Sequence, residues 1–302
     1  MISFVNAKIN LGLNVVARRA DGYHDLSTVF YPVGVYSGTP ENPVAFADAL
    51  EIGERPDADH QPEAQVWKDD EYLFLSRKVD CPVEKNLVCK AVVAFRKALE
   101  DAGRPQLPSL RVILSKHLPD GAGLGGGSAD ATFTLKMLNA MARSHFDESK
   151  LIDIAAKIGA DCPFFVVNSC AYASGIGERL ERLPVSLAGK WLLIVKPDLY
   201  VSTKEAFAGI TPHAPAFDLH RLPEVPLKEW REVVVNDFEA SLFPSHPELA
   251  EIKSELYACG AQFALMSGSG SSLYGIFENI SAANAAAAAI GSTQRQVWLL
   301  KL

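Results

Sequence analysis

The sequence predicts an α+β protein of two domains, and three observations carry that expectation. At 302 residues the chain is about twice the length of a typical single domain. Its opening segment alternates apolar and polar residues as a strand does. Beyond a glycine-rich loop, two helical patterns follow one another with no strand between them, and the later half then mixes strand-like runs with helices. The boundary is placed near Asn168, giving domains of 1–168 and 169–302.

Taken in order, Val5, Ala7, Ile9, Leu11 and Leu13 fall on one face of the first strand while Asn6, Lys8, Asn10 and Asn14 share the other, which reads as a half-buried strand. The run RRADG, with its Asp-Gly turn signal, leads into YHDLSTVFYPVGV, a second extended segment able to pair with the first. Residues 39–70 are rich in Pro, Asp and Glu, with only ALEIG reading as a short strand, so this stretch reads as a solvated excursion carrying little chemistry. Residues 86–99 show helical spacing and LRVILS reads as a strand ending just before the glycine loop. After the loop, Phe133, Met137 and Met141 recur at i, i+4, i+8 on one helix, and residues 150–158 give another, closed by Gly159. The runs FFVV, KWLLIV, AQFALMS, SLYGIF and QVWLLKL read as strands, with helices at 247–259 and 282–290. The last of these strands is free to return to the first domain.

Composition excludes several classes of function. Hydrophobic residues at 48% and charged residues at 22% match an ordinary water-soluble protein. A net charge of −7 without a block of Lys or Arg argues against nucleic-acid and anionic-membrane partners, while leaving room for a small anionic ligand held by local donors. The five cysteines form no CxxC pair and the seven histidines no HExxH, so neither a zinc framework nor a redox motif is expected. Asn6, Lys8 and Asn10 interrupt what would be the apolar core of a signal peptide. No run of 18 apolar residues is present, and the cytoplasm is the expected compartment.

The segment PDGAGLGGGSAD carries five glycines from Gly121 to Gly127 and opens a helix at about Ser128. Unpaired N–H groups and the helix dipole favour an anion there, and missing Cβ atoms let backbone approach phosphate oxygens. A bare turn is the alternative. The spacing also satisfies GxGxxG, but a dinucleotide fold needs a strand after the helix, and a second helix follows instead. A P-loop needs GxxxxGK[ST], and Gly127 follows Gly126, so the loop has no lysine of its own. Lys116 and Lys8 are the available cations.

The loop PDGAGLGGGSADA, the opening NAKINLGLNVVARRADGYHDL and the late run MSGSGSSLYGIF together resemble the three sequence motifs of the GHMP small-molecule kinases. The resemblance spans nearly the whole chain. It implies an N-terminal ATP-binding domain of the ribosomal-protein-S5-domain-2 type and a ferredoxin-like C-terminal domain, with the site in a cleft between them. The run KINLxLxVxxRRxDGYHxL with GADCPFF further implies ATP-dependent phosphorylation of the 2-hydroxyl of a cytidine-diphosphate-linked methylerythritol, an isoprenoid precursor.

Residue by residue, the resemblance implies that Lys8 stabilises charge and that Asp161, in GADCPFF, accepts or orients the hydroxyl proton as the catalytic carboxylate. Their bland alternatives are an exposed strand lysine and a turn-forming Asp before Pro163. Asn10, Tyr23, His24, Thr203 and Phe207 are implied substrate contacts, with Tyr23, His24 and Phe207 on the cytosine; a lone aromatic in a helix is otherwise core. Asn86, Lys116 and the loop residues Pro119, Asp120, Gly121, Ala122, Gly123, Leu124, Gly125, Gly126, Gly127, Ser128 and Ala129 are implied nucleotide contacts. Asn86 has the alternative role of helix N-cap. The third loop, Ser267 to Ser272, supplies donors to close against the phosphate loop. Mg²⁺ is expected with ATP, Ser128 being an indirect ligand, but no carboxylate cage is evident. Asn6 replaces the family's usual proline and Ala129 its usual second serine. Competing readings are a homoserine- or mevalonate-type kinase, against which Tyr23 and His24 argue, and a kinase-like sensor without chemistry.

Overall fold

Strand propensity dominates the opening of the chain, and the computed structural model begins accordingly with strands; it describes residues 1–34, 36–39, 42–55, 65–68, 71–76, 82–143 and 145–302. The first strands are β1 (Ile2–Val5), β2 (Ala7–Arg18), β3 (His24–Val33), β4 (Tyr36–Thr39), β5 (Asn42–Ala45), β6 (Asp48–Glu54), β7 (Gln65–Lys68) and β8 (Glu71–Leu75). Then come β9 (Leu110–Ser115), β10 (Ala171–Ser174), β11 (Arg179–Arg182), β12 (Trp191–Pro197), β13 (Phe263–Met266), β14 (Leu273–Phe277) and β15 (Arg295–Lys301). The α-helices are α1 (Leu87–Asp101), α2 (Gly126–Met141), α3 (Glu148–Ala156), α4 (Cys162–Val167), α5 (Thr203–Ala208), α6 (Trp230–Val233), α7 (Asp237–Leu242), α8 (Pro247–Ala258) and α9 (Ile280–Ile290).

These elements gather into two compact units, neither continuous in sequence: one of Met1–Asn6, Ala47–Leu118 and Gly126–Asn168, the other of Ala7–Phe46, Pro119–Gly125 and Ser169–Leu302. The chain passes between units after Asn6, Phe46, Leu118, Gly125 and Asn168.

The first unit holds a sheet in the order β1-β6-β9-β8-β7, antiparallel except for β8 beside β9. Helix α1 shows why its sequence is helical: Val88, Ala91, Val92, Phe95, Ala98 and Leu99 form one buried stripe. Asn86 caps it, its side chain accepting from the Val88 N–H at 2.9 Å. At the other end Gly103 (φ +62°) lets its own N–H reach Glu100 and the Arg104 N–H reach Leu99, closing the helix with two satisfied carbonyls.

Three expectations are corrected here. FFVV is helix, not strand: Pro163 stands in the first turn of α4, where its fixed φ suits a helix start, and Phe164 and Phe165 are fully buried. A four-residue apolar run carries no period that separates a strand from a buried helical turn. The stretch 39–70 is also no mere excursion among its described residues, because β6 is an inner strand and Asp48 at its start is 0% exposed. Helix α2 begins at Gly126 rather than Ser128.

The second unit contains two four-stranded sheets, β11-β10-β3-β2 and β13-β14-β12-β15, and the pair β4-β5. The predicted pairing of the first two long strands is present, β2 lying antiparallel to β3 with its register shifted between Asn10 and Leu13. Gly12 lies in that shift with φ +95°, and a Cβ there would stand 2.8 Å from Leu219, so only glycine fits. The last strand does not return to the first unit: β15 pairs with β12 over seven residues. Leu13, Val15, Leu193, Val195, Phe238, Ile252 and Phe277 belong to one apolar core here.

Strand β2 is not half-buried. Its polar side is enclosed too, with Asn10 and Asn14 buried and Lys8 only 3% exposed.

The cap on α1 supplies a first prediction. Asn86→Ala loses about 1 kcal/mol of unfolding free energy, read by urea denaturation, while Asn86→Ser retains most of the wild-type value.

Candidate active site

The glycine loop takes its shape from alternating residues. Gly121, Gly123 and Gly125 have φ of +57°, +73° and +72°, values that side-chain-bearing residues seldom adopt. The loop is pinned to the start of β2, where the Lys8 N–H donates to the Leu124 carbonyl at 3.0 Å. The serine loop, Ser267–Ser272, is pinned to it in turn: Ser267 Oγ donates to the Gly123 carbonyl at 2.8 Å, and the Ser272 N–H to the Ala122 carbonyl at 3.3 Å. A Cβ on Gly123 would lie 1.9 Å from the Ser267 carbonyl oxygen. The expected closure of the third loop on residues 119–125 is therefore present.

Asn236 braces the serine loop from the far side. Its Nδ2 donates to the carbonyls of Met266 and Gly268, both at 2.8 Å, and its Oδ1 accepts from the Phe238 N–H. Glu239 Oε1 accepts from the Met266 N–H. Neither residue carries a motif signal, since each works by holding backbone.

Lys8 extends its ammonium to Asn10 Oδ1 at 2.7 Å and past the Phe30 ring, 5.0 Å from the centroid. A Cβ on Gly268 would come within 3.4 Å of Nζ, so the cation stands against the serine loop. A relay fixes the Asn10 amide: Nδ2 donates to Thr28 Oγ1 at 2.8 Å, and Thr28 donates to the Gly12 carbonyl at 2.6 Å. The carbonyl end of Asn10 is thereby turned to the lysine.

At the other end of the β2–β3 hairpin, His24 stacks on Phe207 with centroids 4.6 Å apart and planes at 17°, and Phe207 meets Phe238 edge to face. Thr203 opens α5, whose cap is Ser202. Tyr23 is exposed on the Asp21-Gly22 turn. Of these aromatics, the fold brings His24 and Phe207 together and leaves Tyr23 in solvent.

In the first unit, Asp161 occupies the N-cap position of α4 without making a side-chain cap bond. Thr132 Oγ1, on α2, bridges the carbonyls of Ser128 and Cys162 at 2.9 Å each. The first turn of α2 and the start of α4 are thus held together. Burial pushes the Cys162 thiol up to about 11, which keeps it neutral. The far end of α4 is tied to β1 by a reciprocal amide pair, Asn6 Nδ2 to Asn168 Oδ1 at 3.1 Å and Asn168 Nδ2 to Asn6 Oδ1 at 2.9 Å.

Lys116 is not a loose cation. Its ammonium, nearly fully buried, bonds to Asp48 Oδ2 and, at 2.8 Å, to Asp130 Oδ2. Asp48 Oδ1 also accepts from the N–H groups of His117 and Leu118. Two carboxylates share one lysine, and among the described residues Asp130 Oδ1 is buried without a hydrogen-bond partner. Burial, with Asp48 close by, lifts the Asp130 carboxyl from the ordinary 3.8 to about 7, against the opposing pull of Lys116. The sequence pointed to Lys116 and missed both carboxylates. Their only signal was a charge at the edge of a short apolar strand and another near the start of a helix.

Residues 86–169 match the family "GHMP kinases N terminal domain" and 226–296 match "GHMP kinases C terminal". A 4-diphosphocytidyl-2-C-methyl-D-erythritol kinase of Bacteroides thetaiotaomicron is 45% identical over 92% of both chains. The chain belongs to the GHMP kinases. A protein of the same name from Parabacteroides distasonis is also 45% identical over 92% of each chain. Among solved structures, a 4-(cytidine 5'-diphospho)-2C-methyl-D-erythritol kinase superposes with a TM-score of 0.75 at 31% identity, with both chains fully covered. A homoserine kinase from Cytophaga hutchinsonii at 16% identity and TM-score 0.69 shares the fold. This GHMP kinase therefore has the two-domain α+β architecture of its family.

The buried Asp130 carboxyl of this kinase carries a pH signature. Folded Asp130 holds its proton up to about pH 7, whereas the unfolded residue releases it near 4. Stability contributed by that proton is complete below pH 4 and is lost as pH rises through 7. Asp130→Asn keeps the shape without the charge, so its melting temperature exceeds wild type most at pH 8 and the gap narrows towards pH 4. A gap independent of pH, measured by thermal melts across that window, contradicts the assignment.

Proposed function

We propose that this kinase transfers the γ-phosphoryl group of ATP to the 2-hydroxyl of 4-diphosphocytidyl-2-C-methyl-D-erythritol. The observation that carries the reading is 45% identity across 92% of both chains to an enzyme of that name. The His24–Phe207 stack supports it, because a flat ring pair with an imidazole edge suits a pyrimidine.

In the reaction, the 2-hydroxyl oxygen forms a bond to the γ-phosphorus while the bond from that phosphorus to the β-bridging oxygen breaks, and ADP leaves with the electron pair. The hydroxyl proton passes to the Asp161 carboxylate and from there to solvent. Lys8, oriented through Asn10 and Thr28, neutralises charge on the transferring group. Backbone N–H groups of the glycine loop and the first turn of α2 receive phosphate oxygens, as helix N-termini do. Tyr23, His24, Thr203 and Phe207 take the cytidine end, and Asn86 and Lys116 serve the nucleotide side, Lys116 through the position it gives its neighbours.

Mg²⁺ accompanies the ATP phosphates and screens their charge. Among the described residues no cluster of three or more His, Cys, Asp or Glu side chains forms a metal cage, so no step is assigned to a metal held by protein carboxylates. Among them, too, no helix is long and apolar enough to cross a membrane.

A coupled ADP-release assay tests the reading, with the cytidyl conjugate run beside CTP, simple polyols, homoserine and mevalonate. ADP release is expected with the conjugate alone. Lys8→Ala and Asp161→Ala are each expected to lower kcat by at least about 10²-fold with unchanged circular dichroism. Faster turnover of homoserine or mevalonate would remove the substrate assignment, and full activity in both variants would remove the roles.

A further inference from the structure

Tyr200 stands out as an aromatic side chain 73% exposed between two anchored neighbours, Leu199 packed on the core and Val201 buried. Extended backbone points alternate side chains to opposite sides, so anchoring Leu199 and Val201 inward turns the Tyr200 ring outward. The ring is not idle there. It lies over the bare backbone of Gly121, where a Cβ would come within 2.8 Å of its Cε2 and 3.0 Å of its Cδ2.

The segment carrying Tyr200 is fastened to the same loops. Ser271 Oγ, from the serine loop, donates to the Leu199 carbonyl at 2.5 Å. Lys196 Nζ donates to the carbonyls of Pro197 and Leu199 at 2.7 and 2.9 Å, which occupies the nearest cation on this stretch with backbone. Among the described residues the Tyr200 hydroxyl has no hydrogen-bond partner. Three residues on, α5 begins, and it carries Phe207 to its stack with His24.

One short piece of chain thus runs from the glycine loop at Tyr200 to the ring pair at Phe207. A nucleoside-diphosphate conjugate of an alcohol has the same order of parts: a base at one end, the reacting hydroxyl at the other and two phosphates between. A phenol on the connecting segment, with a free donor and a ring packed on glycine backbone, is suited to a phosphate oxygen.

We propose that Tyr200 is a further substrate-binding residue, donating its hydroxyl to the diphosphate linker of the conjugated alcohol while its ring covers Gly121. The proposal rests on the substrate reading given above. It separates Tyr200 from the ATP-binding residues and gives the acceptor substrate a contact that the base-binding residues do not supply.

Calorimetric titration of wild type, Tyr200→Phe and Tyr200→Ala with CDP and with cytidine tests it, alongside KM for the conjugate and for ATP. Because Tyr200 is exposed, both variants are expected to melt close to wild type. Loss of a hydrogen bond to a charged group predicts CDP affinity lower by about tenfold in both variants. Cytidine affinity and KM for ATP are expected to stay within about twofold of wild type, and KM for the conjugate to rise with the loss of CDP affinity. CDP affinity unchanged in Tyr200→Phe, or a rise in KM for ATP equal to that for the conjugate, would overturn the inference while leaving the substrate reading in place. Wild-type protein that binds neither CDP nor cytidine overturns the substrate reading and the role of Tyr200 with it.

Discussion

Gly123 and Ser267 approach so closely that a carbonyl oxygen occupies the space in which any side chain on residue 123 would begin. That contact depends on a missing atom, and much of the second unit's polar architecture is arranged around it. Ser267 donates back to Gly123, Ser272 reaches Ala122, and Asn236 and Glu239 hold the serine loop from behind. Lys8 is set against the result, with its own N–H on Leu124 and its ammonium beside Gly268. A loop rich in glycine is entropically expensive to order. Here the order comes from neighbouring backbone and from small polar side chains, which leaves the loop free of bulk where phosphate oxygens would need access.

The same economy of bulk forces the charged groups to be handled by partners rather than by water. Lys8 is buried on a strand, and an unaccompanied buried ammonium is strongly disfavoured. Asn10, itself oriented by Thr28, offers it a correctly turned oxygen. Lys116 meets the same problem differently, with two carboxylates around one ammonium. That arrangement overcompensates the charge, and the surplus is relieved by Asp130 keeping a proton near neutrality. One lysine is held through a neutral amide; the other is paired in place with two carboxylates.

What could be read from the sequence follows from what a sequence pattern encodes. The glycine loop, the β2–β3 hairpin and the serine loop announce themselves because their constraints are local: positive φ, a turn dipeptide, small residues between two strands. Lys8 and Asp161 were legible through the resemblance of their motifs. Asp48, Asp130, Thr28 and Asn236 were not, because each owes its importance to a partner between 14 and 68 residues away or to loop carbonyls about 30 residues on. The alternation on β2 gave the correct strand but the wrong environment, since a period of two identifies the faces without saying that both are covered. FFVV failed for the complementary reason, its four residues being too few to show either period.

Asn6 illustrates how a departure from a family pattern can be absorbed. A proline at the end of β1 would fix φ and donate nothing. Asparagine leaves the backbone freer and adds a buried amide that must be satisfied on both its oxygen and its nitrogen. Asn168 satisfies both, and its own position explains why that partner is an asparagine: it ends α4 in the left-handed region at φ +46°, a conformation asparagine tolerates better than other residues with a side chain. The pair therefore does two jobs with one contact, closing the polar account of β1 and holding the C-terminal end of the helix whose first turn follows Asp161. Because α4 is only six residues long, roughly 9 Å at 1.5 Å per residue, a constraint at one end is felt at the other. The rigidity lost with a proline is thus recovered through a side-chain bond to the helix that carries the carboxylate.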